Sequence, residues 1–96
     1  MSTFSQFTNG NRIKSIQRGT ITLSGTSSAT ATIASVDTTK TELRMLGFTS
    51  DYAGTNTESP YFPRISLTSS TTITATRVSN NNTYTTVVSW ELTEYI

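Results

Sequence analysis

The stretch TYTTVVSWELTEYI, residues 83–96, decides the architecture, because large apolar and small polar residues alternate almost to its end. Tyr84, Thr86, Val88, Trp90 and Leu92 fall on one side of an extended chain. Thr85, Val87, Ser89, Glu91 and Thr93 fall on the other. A period of two marks a strand with one buried face. Trp90, alternating with Val88 and Leu92, is expected in the core; the competing reading is an exposed interaction anchor. Running into Glu94-Tyr95-Ile96, the strand is expected to leave no room for a catalytic appendage.

The same texture recurs upstream. Residues 79–82, SNNN, tolerate left-handed backbone angles and predict a turn. Before it lies a strand from Thr71 to Val78, with Ile73 and Ala75 inward. Pro63 opens another through Arg64, Ile65, Ser66 and Leu67, broken at Ser69-Ser70. In ITLSGTSSATATI, residues 21–33, two alternating runs flank a Ser-Gly-Thr-Ser turn and predict a hairpin. Ala29, Ala31 and Ile33 point inward there, and the small alanines imply close approach of an opposing layer. Helix propensity is fair between Thr38 and Leu46, but a short run ending at Gly47-Phe48 favours a strand over Thr41 to Phe48. Residues 49–60 form the longest structureless piece, a functional or mobile loop. About six or seven strands result. They predict an all-β fold, a small antiparallel β-sandwich or jelly-roll-like barrel. The expected organisation is an N-terminal arm, residues 1–12, followed by a single β domain, residues 13–96.

Composition narrows the class of function. Ninety-six residues make one small domain, which gains stability from association when no staple is present. Cysteine and histidine are both absent, which removes disulfides and the usual zinc ligand sets. Only 14% of residues are charged and the net charge is +1, so no basic stripe points to nucleic acid. Interleaved Thr and Ser on strands read as a solvent face kept soluble without charge. Residues 1–12 lack the apolar core of a signal peptide, and no stretch is apolar enough to span a membrane as a helix. The expectation is a chain made in a cytoplasm and exported only on an assembly.

Chemistry is thinly represented. Without His or Cys the usual nucleophile–base pairs cannot be built, and no Ser sits in a G-x-S-x-G elbow. The six acids, Asp37, Glu42, Asp51, Glu58, Glu91 and Glu94, mostly read as solvated charges in turns or on outward strand positions. Glycines are scattered singly and build no phosphate loop. No cofactor or metal is expected. Candidate contact residues lie elsewhere. Phe4 and Phe7 sit on the polar arm, to pack on their own domain or dock on a neighbour. Arg12, Lys14 and Arg18 form a basic lead-in, either a charge-protected strand edge or a contact for an acidic partner. Tyr52, Tyr61 and Phe62 bracket the long loop, as contacts or as a lid over one end of the sandwich.

With these residues in view, the chain resembles small structural proteins of tailed bacteriophages. The resemblance runs through Ser15-Ile16-Gln17-Arg18-Gly19, the Ser/Ala/Thr hairpin, Leu46-Gly47-Phe48, Arg64-Ile65-Ser66-Leu67, the run from Thr72 to Arg77, and Val87-Val88-Ser89-Trp90-Glu91. It spans Lys14 to Tyr95 and carries no catalytic motif. It implies a virion-associated, non-enzymatic β-domain, often a homotrimer, partnered by a major capsid or tail protein. A decoration or cement-type subunit on the capsid is the leading expectation. The alternative is a tail or fibre-tip module that binds a host glycan or protein through Tyr52 and Tyr61. A small hydrolase, using converging carboxylates, is the third.

Overall fold

The structure is a computed structural model that describes residues 12–51, 61–80 and 84–96. It is all-β. Six strands are present among the described residues: β1 (Ile13–Ser24), β2 (Ser28–Thr32), β3 (Thr41–Ser50), β4 (Arg64–Ser69), β5 (Thr72–Thr76) and β6 (Thr85–Tyr95). They form two antiparallel three-stranded sheets, ordered β1-β6-β3 and β2-β5-β4, consistent with a small β-sandwich.

The alternating stretch that opened the sequence is β6, and it occupies the centre of the first sheet. Thr86, Val88, Trp90 and Leu92 are buried, while Thr85, Val87, Ser89 and Glu91 are only partly covered on the outer face. Its counterpart in the second sheet is β5, whose Ile73 and Ala75 are fully buried. Ile21 and Leu23 of β1, Val88, Trp90 and Leu92 of β6, and Ile73 and Ala75 of β5 form one core with Ile33 and Val36. Trp90 lies flat against β1. A Cβ on its cross-strand neighbour Gly19 would come within 2.7 Å of the indole Cζ2, so only glycine fits there.

Thr41 to Phe48 is a strand, as the sequence predicts. It is preceded by a short 3-10 turn, Thr38–Lys40, whose start is capped by the Asp37 carboxylate accepting from Thr39 N. β3 carries a bulge. Met45 faces Trp90 and Gly47 faces Ser89, leaving Leu46 as the extra residue. Gly47 adopts φ 134°, a region closed to residues with a Cβ.

Two expectations are corrected. Residues 21–33 do not form a hairpin: β1 pairs with β6 and β2 with β5, so the intervening turn is a corner between sheets. Gly25, at φ 70°, turns the chain. Arg77 then pins the corner, with its backbone N donating to Ser27 O and its Nε to Thr26 O. Ile21 and Leu23 therefore meet Ala29 and Ala31 face to face across the core, not side by side in one sheet. Ala29 and Ala31 are partly buried and pack against this core. The second correction concerns Glu94, which is buried and not a solvated charge.

Candidate functional site

The two sheets pack more closely along β1–β2 than along β3–β4. Leu43, Met45 and Phe48 pair with Leu92, Trp90 and Val88, so they continue the inner apolar face of the first sheet onto its edge strand. Leu43 packs against the core, but the next two are incompletely covered. Met45 remains 37% exposed and Phe48 38%, although both point to the core side. Phe62 leans over this gap with its ring 5.4 Å from that of Phe48, tilted by 54°, and is itself exposed. Leu46, displaced by the bulge, adds apolar surface on the same edge. All residues from Arg44 to Thr49 are exposed. An open strand edge with this much apolar surface is a template for docking.

The outer face of the same edge is charged. Arg18 Nε donates to Glu91 Oε2 at 2.8 Å, and Arg44 Nη2 to Glu42 Oε1 at 3.1 Å. Arg18, Glu91 and Arg44 are register neighbours, so they form a row of alternating sign across the sheet. The hydrogen bond from Arg44, followed by that from the Tyr95 hydroxyl, holds the Glu42 carboxyl below its ordinary 4.5. The same carboxylate holds the Arg44 guanidinium and the Tyr95 phenol above their usual values.

The residues singled out from sequence scatter. Phe4, Phe7 and Tyr52 lie outside the described residues. Arg12 is exposed, and its backbone carbonyl accepts from Ile96 N. Lys14 pairs with Glu94 at 3.8 Å and Arg18 with Glu91, so the basic lead-in serves β6 of its own chain. Tyr61 is buried. Its ring meets Tyr84 edge-on at 5.4 Å and lies under the Arg77 guanidinium at 5.5 Å. Arg77 Nη1 donates to Thr86 Oγ1, which donates in turn to Tyr61 O. That packing removes Tyr61 from a glycan-stacking surface. Of the five that are described, only Phe62 belongs to the apolar side of the open edge.

Sequence reasoning missed Met45, Leu46 and Phe48. The signal was there: three large apolar residues around a glycine break the alternation, as a bulged edge strand does. It also misjudged Glu94, which shares parity with Trp90 and Leu92 and so belongs to the inner face. Glu94 Oε2 accepts from Asp37 N at 2.8 Å and Oε1 from Ser15 Oγ at 3.4 Å, while Lys14 supplies the countercharge. These contacts tie the segment after β2 to the first sheet. Beside them an open cleft of about 400 Å³ is lined by Lys14, Asp37, Lys40, Glu94, Tyr95 and Ile96. Among the described residues no group of three or more acids could hold a metal ion. Comparison with protein-family models, with curated proteins and with solved structures gave no significant match in any of the three.

Proposed function

We propose that the chain is a structural subunit of a phage particle, a decoration or cement-type protein that binds the shell non-covalently as a small homo-oligomer. The observation that carries the assembly role is the uncovered inner face at β3, where Met45 and Phe48, with Phe62 leaning over them, stand partly in solvent. The phage setting rests on the resemblance of Lys14 to Tyr95. Fully burying one such side chain contributes roughly 1.5–3 kcal/mol, so finishing the burial of three half-covered ones gives a weak contact. Repetition over a lattice turns weak contacts into tight attachment. The Thr- and Ser-rich outer strands suit a subunit whose remaining faces stay in water.

The test is direct. Purified particles, washed at high salt and analysed by mass spectrometry, are expected to contain the chain in stoichiometric amount. Recombinant chain is expected to co-sediment with particles stripped of it, and Phe62→Ser to weaken that binding. Finding the chain only in the unassembled fraction would overturn the reading.

A further inference from the structure

We propose that β3 pairs with β3 of a second copy, antiparallel about a two-fold axis at Leu43, to join two first sheets into one six-stranded sheet. The inference rests on the assembly reading above and names the surface and partner that self-association uses. β3 is an edge strand, and among the described residues no strand pairs with its outer side. What identifies the occupant as this same chain is charge. The row Arg18–Glu91–Arg44 runs plus, minus, plus and stops at the edge. A two-fold at Leu43 places Glu42 of the second copy next in the row, opposite Arg44, and repeats the match on the other side of the axis.

Neighbouring registers fail. Centring the axis on Glu42 sets Glu42 against its own copy and Arg44 against Lys40. Centring it on Arg44 sets two guanidinium groups face to face. Like charges directly opposite in a sheet are destabilising. A shift of one residue in the pairing itself would turn one copy's apolar face to the outside. With Leu43 at the centre, the inner faces continue: Leu43 meets Leu43, and Thr41 meets Met45, which is partly exposed in the single chain. The bulge at Leu46 ends the regular stretch, so pairing is confined to residues 41–45.

The experiment uses the full chain in sedimentation velocity over a concentration series, at low and high salt. The wild type is expected to form dimers. Glu42→Arg and Arg44→Glu each create two like-charge pairs in a homodimer and should weaken self-association by about tenfold. Mixed together, the two variants complement each other at both positions and should form a heterodimer tighter than either homodimer. Leu43→Cys gives this cysteine-free chain one thiol on the axis. It should form a disulfide dimer on mild oxidation, whereas Glu42→Cys should not. Thermal melts of each variant show whether it is folded. A monomer at all concentrations, an oligomer insensitive to both charge reversals, a trimer only, or equal crosslinking at positions 42 and 43 would overturn the proposal. Incorporation into particles is measured separately, so a chain found on particles but failing these tests removes the two-fold pairing alone.

Discussion

Along β1 and β2 the sandwich is laced shut, and along β3 and β4 no such lacing is found among the described residues. On the closed side, the Gln17 side chain behaves like a strand partner: Ala34 N donates to its Oε1 at 2.9 Å, and its Nε2 donates to Ala34 O at 3.2 Å. Ile33 N and Val36 N then donate to Thr71 O and Ser70 O in the turn that joins β4 to β5 of the second sheet. The segment after β2 thereby crosses the gap and buries Ile33 and Val36. No such segment crosses between β3 and β4 among the described residues. Apolar residues of the same kind are therefore buried on one side and left partly in water on the other.

Paired leucines test this contrast most sharply. Leu23 is fully buried and Leu46 is 54% exposed. Leu23→Ala should cost about 2–5 kcal/mol of unfolding free energy in urea denaturation, the range for a truncated core leucine. Leu46→Thr should change stability by no more than about 0.5 kcal/mol. A comparable loss at both positions would erase the distinction between the sides.

A smaller effect is expected at the packed pair on the closed half. Gly19→Ala forces its methyl into the Trp90 indole and should destabilise by about 1–3 kcal/mol, read from the same transitions. It should also shift the tryptophan fluorescence. Gln17→Leu removes both hydrogen bonds to Ala34 and should cost about 1 kcal/mol, with faster amide exchange at Ala34. Unchanged exchange there would show that the lacing is held by the backbone bonds alone.

The smallest effect concerns pH on the open side. Glu42 has its carboxyl lowered in the folded chain by Arg44 and Tyr95. Its contribution is therefore present above the unfolded-state value near 4.5 and fades as pH falls through the lower folded value. Asp37 behaves alike, lowered by the Thr39 hydroxyl and then by the Thr39 backbone N–H. Glu42→Gln should flatten part of the acid limb of a stability–pH profile measured at low protein concentration. Because the group is exposed, the change is small and salt should shrink it further.

How far the sequence could be read follows from what alternation encodes. Period two states which face of a strand is buried, and it placed Val88, Trp90 and Leu92 correctly. It does not state which strand lies alongside, so β1 and β2 read as neighbours in one sheet when they lie in opposite ones. Nor does it state whether an inward face is covered. Met45 and Phe48 carry core parity, yet both remain exposed. Arg77 illustrates a third blind spot. A lone arginine past the end of β5 gives no hint of the acceptors, Thr26 O, Ser79 O and Thr86 Oγ1, that make its burial tolerable.

The central position of β6 governs when the chain can fold. Among the described residues β1 and β3 do not pair with each other; the strand partner of each is β6. During synthesis, at roughly 5–20 residues per second, both must wait unpaired until residues 85–95 have left the ribosome. The second sheet, complete by Thr76, has no first sheet to pack on before then. Maturation of the domain is therefore a single late event, and the nascent β3 edge, rich in apolar residues, is the segment most in need of shelter until it happens.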